Sequence, residues 1–173
     1  MGKRSAFKRA KGDYYRTPLD PVRPLLPFLP PGTHYVEPCA GDGALIRHLD
    51  FFGHKCVAAI DIKPKHPQIM SADARTVKFP GAMLAITNPP WTRALLHPII
   101  IALSDQMPTW LLFDADWMHT RQAVPYLARC KMIVSVGRVK WFPRSKHVGK
   151  DNCCWYLFGA GETKTTFIGR DSV

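Results

Sequence analysis

The stretch Thr33-His34-Tyr35-Val36-Glu37-Pro38-Cys39-Ala40-Gly41-Asp42-Gly43-Ala44-Leu45-Ile46-Arg47-His48-Leu49 reads as a strand, a glycine turn and a helix. His34 to Val36 supplies the strand, and Ala44, Leu45, His48 and Leu49 recur at helical spacing. Gly41 and Gly43 permit backbone conformations and close approaches that a Cβ would block. This is the grammar of a β-to-α turn at which an open α/β sheet binds a ligand. Glu37 stands at the strand's end, where a carboxylate can accept bonds from a cationic ligand. Lys55 to Ile62 gives a second strand ending around Asp61, an acid suited to a ribose diol. A dinucleotide fold uses the same plan, but its fingerprint needs a glycine where Ile46 stands. A carboxylate at Glu37 would also repel a pyrophosphate.

Further along, Met83-Leu84-Ala85-Ile86 is an apolar run halted by Thr87-Asn88-Pro89-Pro90-Trp91. The run reads as a buried strand, and two prolines cannot continue a sheet ladder. Asn88 therefore falls at a strand end, with an amide, a rigid carbonyl-bearing turn and an indole at the mouth of a cleft. Such a trio can hold a planar amino group; the alternative is an ordinary strand-terminating turn. Ile69 to Ala74 reads as a short strand ending at Asp73, which either meets an adenine edge or forms a cap or Asx turn. Thr92 to Leu103 reads as a helix with Thr92 as cap and Pro98 near its first turns. Trp110 to Asp114 is a fifth buried strand, Met118 to Ala128 a helix, and Lys131 to Val139 and Asn152 to Phe158 two further strands.

Upstream, the proline-rich stretch from Leu19 to Gly32 predicts a short, irregular helix. Asp13-Tyr14-Tyr15-Arg16-Thr17-Pro18 places two tyrosines ahead of it, as core aromatics or as a stacking surface.

The chain has 173 residues, enough for one domain with its own core, and 24 Lys and Arg against 13 Asp and Glu give a formal charge of +11. Such an excess selects a polyanionic partner. Nucleic acid fits better than membrane, since no apolar run is long enough to span a bilayer. The charged N-terminus lacks the apolar segment of a signal peptide, and a cytoplasmic location is expected. Five cysteines, odd in number and without a Cys-x-x-Cys pair, argue against a disulfide framework or a zinc site, and no metal is expected. Cys39 reads as a packing residue, with no adjacent His to activate it. Residues 1–12 carry Lys3, Arg4, Lys8, Arg9 and Lys11 and no acid up to Lys11, the composition of a basic flexible arm that attracts phosphate or merely aids solubility. From Lys131 to Lys150 there are six Lys or Arg and no acid, and Lys140, Arg144, Lys146 and Lys150 are interleaved with Trp141 and Phe142. Cations there would meet phosphates while aromatics stack on unpaired bases; the competing reading is a hairpin whose charges discourage edge pairing.

The order Asp-Tyr-Tyr-x-Thr-Pro, Glu-Pro-Cys-Ala-Gly-x-Gly, Asp61, Asp73 and Asn-Pro-Pro-Trp resembles the amino-methylating S-adenosylmethionine-dependent methyltransferases, most closely the DNA adenine-N6 group. The resemblance covers about Asp13 to Trp91. It implies an α/β fold: a seven-stranded Rossmann-like methyltransferase sheet, mostly parallel with an antiparallel last strand, in a single catalytic domain over 13–173. It implies S-adenosyl-L-methionine as cofactor, held by Tyr15, Thr17, Glu37, Pro38, Ala40, Gly41, Gly43, Asp61, Ile62, Asp73, Ala74 and Asn88. Asn88, Pro89, Pro90 and Trp91 would carry catalysis on a base drawn from the stack, with DNA as partner and RNA as the other possibility. A monomer or weak homodimer is expected. Arg16 stands where related sequences often have proline. Three rivals accompany this reading: the same fold acting on guanine N2, cytosine N4 or a glutamine side chain; a non-catalytic nucleic-acid-binding module; and a nicotinamide-dependent oxidoreductase, which Ile46 disfavours.

Overall fold

Alternation along the central strands decides which layer each residue joins. Trp110 and Leu112 point to one face of the sheet, and Leu111 and Phe113 to the other. A computed structural model describes residues 14–142, 144 and 148–170; the basic arm over 1–12 and Lys146 lie outside the described residues. Eight strands, β1 (His34–Glu37), β2 (Lys55–Asp61), β3 (Met70–Ser71), β4 (Ala85–Thr87), β5 (Thr109–Asp114), β6 (Cys130–Arg138), β7 (Asn152–Phe158) and β8 (Thr166–Ile168), form one sheet in the order β3-β2-β1-β4-β5-β7-β6-β8. β7 runs antiparallel to both its neighbours, and the other pairings are parallel.

Two expectations need correction here. Among the described residues the sheet has eight strands rather than seven, and the antiparallel strand is the next to last of them in chain order. The added β8 is three residues long and pairs with the edge of β6 from Met132 to Val134, too short to give a sequence period of its own. The helix expected over Met118 to Ala128 is broken into 3-10 turns at Ala115–His119 and Arg121–Ala123 and a four-residue helix at Val124–Leu127. Thr120 interrupts it in an extended conformation, at φ −93° and ψ 147°.

One face of the sheet is covered by α1 (Ala44–Phe51) and by the proline-rich segment, which forms a 3-10 helix over Asp20–Phe28. Pro24 and Pro27 inside it remove the donors a regular helix needs, so the turns stay short. Val22 and Leu25 are fully buried, packed with Tyr35, Leu45, Leu49 and Trp155. Trp155 Nε1 donates to the Pro21 carbonyl at 2.7 Å and fastens the segment to the sheet. On the other face lie α2 (Arg93–Ser104) and α3 (Val124–Leu127), over a stack in which Phe113 and Tyr156 rings are 4.1 Å apart and 11° from parallel. Thr92 is the α2 N-cap, and Pro98 sits exposed in its second turn.

The order of strands reverses between β1, paired with β2 on one side, and β4, paired with β5 on the other. This is the switch point of the sheet, where loops leaving adjacent parallel strands part to opposite faces and open a crevice. The glycine turn follows β1 and Asn88 follows β4, so both arrive at that crevice.

Candidate active site

The crevice holds a cavity of about 350 Å³. Its lining includes Tyr15, Thr17, Glu37, Pro38, Ala40, Gly41, Asp61, Ile62, Asp73, Ala74 and Asn88, so every residue expected around the cofactor reaches it except Gly43. Gly43 instead forms the N-cap of α1 in the left-handed region, at φ +76°. Of the four residues expected to be catalytic, Asn88 and Pro90 line the cavity, Pro89 is buried, and Trp91 stands beside Asn88 with its indole Nε1 donating to Asn88 Oδ1 at 3.3 Å. The other end of the amide, Asn88 Nδ2, donates to the Tyr15 carbonyl and to Thr17 Oγ1, each at 3.2 Å.

Asp61, the last residue of β2, knits two loops together. Its Oδ2 accepts from Gly41 N at 2.9 Å and its Oδ1 from Lys63 N at 2.7 Å. Each carboxylate oxygen keeps a second lone-pair direction for a ligand. Asp73 is more fully engaged. It accepts from the Arg75 backbone N–H at 2.9 Å and from Arg75 Nη2 at 2.6 Å, which makes it the Asx turn that its sequence context allowed. The Arg75 guanidinium beside it holds the Asp73 carboxyl below the usual range.

Glu37 is 2% exposed, and its Oε2 has no hydrogen-bond partner among the described residues. Burial, reinforced by Asp42 and Asp61, pushes its carboxyl well above the ordinary value. A buried carboxyl oxygen without a partner, on a residue that lines a cavity, is costly, and a cationic ligand group would relieve the cost. Burial likewise raises the Cys39 thiol, which leaves it protonated and inert as a nucleophile.

Sequence reasoning missed how closely the segment over 14–17 straps this turn. A Cβ on Gly41 would lie 2.6 Å from Tyr14 Cε2, and Lys65 Nζ sits 3.2 Å above the Tyr14 ring centroid. Arg16 Nε pairs with Asp42 Oδ2 at 3.2 Å, and His48 Nε2 donates to the Thr17 carbonyl at 3.2 Å, since a carbonyl can only accept. The adjacent tyrosines were visible in sequence, but their contact with a turn across the fold was not. Gly41 itself is at φ +56°, where a side chain is disfavoured. Gly41→Ala is therefore expected to lose about 1–2 kcal/mol of stability and to displace Tyr14, read as a lowered Tm and as a changed Tyr14 ring environment by NMR. Unchanged Tyr14 resonances would show that the strap accommodates a methyl group there.

At the rim, four aromatic rings gather. Tyr15 lies 5.9 Å from Trp141 and 6.1 Å from Phe142, and Trp141 lies 5.6 Å from Trp91, all tilted or edge-on. Phe142 is 57% exposed, and Lys140, Arg144 and Lys150, close to it in sequence, are exposed as well. The Trp141 and Phe142 pair thus reaches the same mouth as Asn88 despite a long sequence separation. Among the described residues, no group of His, Cys, Asp and Glu is arranged to hold a metal ion, and no helix is long and apolar enough to cross a membrane.

No family model matches the chain, and no curated protein matches it. Solved structures do. A dimethyladenosine transferase from Plasmodium falciparum aligns with a TM-score of 0.56 at 18% identity, over 83% of this chain and 62% of its own. The 23S rRNA methyltransferase ErmE aligns at 0.56 and 17%, over 86% of this chain and 70% of its own. A type I restriction-modification system methyltransferase subunit from Streptococcus thermophilus aligns at 0.54 and 10%, over 90% of this chain and 47% of its own. The chain therefore spans less than two thirds of the first and about half of the third. What it shares with them is the fold, the Rossmann-like α/β sheet of these methyltransferases.

Proposed function

We propose that the chain is an S-adenosylmethionine-dependent N-methyltransferase acting on the N6 amino group of adenine in DNA. The observation that carries the reading is that the glycine turn after β1 and the Asn88 amide after β4 line one cavity at the switch point of the sheet. The names of the three structural neighbours, a dimethyladenosine transferase and two methyltransferases, support it. The cavity's residues also fit the cofactor. A volume of about 350 Å³ lies in the range of small-molecule sites, Asp61 keeps lone pairs for hydroxyls, and the orphaned Glu37 carboxyl suits an ammonium. Bound there, S-adenosylmethionine supplies a methyl on a sulfonium sulfur, open to direct in-line transfer to nitrogen.

The chain's own residues then have a positioning and electrostatic task. The exocyclic amino group of adenine is a weak nucleophile because its lone pair is delocalised into the ring. Asn88 Oδ1 accepts one indole hydrogen from Trp91 and retains a second lone pair for an amino hydrogen of the base. The carbonyl of Pro89 would take the other hydrogen, drawing the nitrogen lone pair out of conjugation and aiming it. Trp91, Tyr15, Trp141 and Phe142 offer ring faces and edges to a base that has left its stack.

The same site acting on adenine in RNA is the second reading, favoured by the names of the two neighbours that refer to dimethyladenosine and 23S rRNA. Calorimetry with S-adenosylmethionine, followed by incubation with duplex DNA, single-stranded DNA, structured RNA and protein and by nucleoside and amino-acid analysis, tests both. N6-methyladenine in DNA is the expected product; methyl label found only in RNA would establish the second reading, and no cofactor uptake would end both.

Arg144 and Lys150 are exposed and lie within ten residues of Trp141 and Phe142 in sequence. Converting both to glutamine is expected to lower nucleic-acid affinity and to make the slope of log K against log salt shallower by about 2. An unaltered slope would place the phosphate contacts on another surface.

A further inference from the structure

We propose that Thr17, together with the Tyr15 carbonyl, is the positioning residue that fixes the Asn88 carboxamide, so that the strap over the glycine turn and the amino-holding amide form one hydrogen-bonded unit. This rests on the reading of Asn88 as the group that accepts a substrate amino hydrogen. An amide has two orientations differing by a half-turn, and here the surroundings permit one. The Tyr15 carbonyl can only accept and the Trp91 indole N–H can only donate. With Nδ2 toward Tyr15 O and Thr17 Oγ1, and Oδ1 toward Trp91 Nε1, all three contacts are satisfied, at 3.2, 3.2 and 3.3 Å. Flipped, Oδ1 would face a carbonyl oxygen and the amino group would face the indole hydrogen. The orientation that is allowed turns the acceptor Oδ1 toward Trp91, where the proposed function requires it to meet the amino group.

Thr17 is 5% exposed, so water does not readily replace its hydroxyl in this role. Its main chain is held separately by His48, and Arg16 before it is tied to Asp42 in the glycine turn. Any ligand that seats the strap against Gly41 and Asp42 thereby also sets Thr17 under Asn88. Cofactor contact and acceptor geometry are linked through this one segment.

Thr17→Val keeps the shape and removes the acceptor, while Thr17→Ser keeps the acceptor. In ¹⁵N-labelled protein without ligands, the Asn88 side-chain amide hydrogens are expected to be protected from exchange with water. Protection should fall about tenfold in Thr17→Val and persist in Thr17→Ser, in line with the loss of one well-oriented contact. In turnover at saturating cofactor, Thr17→Val should lower kcat about tenfold, a loss in the chemical step beyond any weakening of cofactor Kd from the cavity-lining hydroxyl, and Thr17→Ser should restore it. Unchanged Asn88 exchange in Thr17→Val, or a weakened cofactor Kd with kcat intact, would overturn the proposal. If the wild-type chain transfers no methyl while Asn88 exchange responds as described, the positioning of Asn88 stands and the methyltransferase reading falls.

Discussion

Asn88→Ala is expected to lower kcat for methyl transfer by about 10²- to 10³-fold while leaving cofactor affinity within a few-fold of wild type. The size follows from what the amide does under the proposed function. Without Oδ1, one hydrogen of the base's amino group loses its acceptor, and the nitrogen lone pair stays conjugated with the ring. The effect falls on the reacting geometry, so it should lower kcat and kcat/KM together. Cofactor affinity changes little because Glu37 at the end of β1, the glycine turn after it and Asp61 at the end of β2 make bonds that do not pass through Asn88, which supplies only one part of the cavity lining. The substitution also leaves the Tyr15 carbonyl and the Trp91 indole N–H without their present partner, which should cost some stability at the half-buried site. Single-turnover measurements with saturating cofactor separate a chemical defect from a folding one. A variant that turns over at the wild-type rate would remove Asn88 from the chemistry.

What could be read from the sequence tracks how local the controlling interaction is. The turn after β1 was legible because glycine at φ +56° and +76° is a chemical requirement that leaves a mark at the position itself. The end of β4 was legible for a similar reason, since Pro89 and Pro90 forbid a ladder. The helix expected beyond Met118 failed where local periodicity was overruled: Trp117 and Tyr156 rings meet edge-on at 5.5 Å, and tertiary packing sets the path of the chain as 3-10 turns. Asp73 shows how two readings can coexist: it lines the cavity and forms the Asx turn, with Arg75, two residues on, donating to both its carboxylate oxygens. Tyr15 and Thr17 were read as cofactor contacts from the motif they match, but the bonds that make the segment a strap were not, because they join Tyr14 to Gly41, Arg16 to Asp42 and Thr17 to Asn88, pairs separated by tens of residues.

Glu37→Gln is expected to stabilise the ligand-free protein at neutral pH and to weaken its hold on the cofactor. The carboxyl is buried at the end of β1 with Oε2 unpartnered, and burial with Asp42 and Asp61 nearby raises its pKa in the folded state. A raised folded pKa means the native state binds the proton more tightly than the unfolded chain, where a glutamate titrates near 4.3. Below about pH 4.3 both states hold the proton, and the contribution to stability is fully present. As pH climbs above that value the unfolded chain releases its proton while the native one must retain it or bear an unpaired buried charge, so wild-type stability declines until the folded pKa is passed. Glutamine has no proton to lose and removes this slope. At pH 7 the variant should melt about 2–4 °C higher, the shift that about 1 kcal/mol produces in a domain of this size, and the two melting curves should converge toward pH 4. Cofactor affinity should move the other way, falling about ten- to a hundredfold, because a neutral amide replaces the carboxylate that would meet an ammonium. Uptake of the ligand by the wild type should also release a proton that the variant has none to give, visible as a binding enthalpy that changes with the buffer's ionisation enthalpy in the wild type alone. A variant that melts below the wild type at pH 7, or that binds the cofactor as tightly, would mean that the Glu37 carboxyl is held by the fold itself and does not wait for a cation.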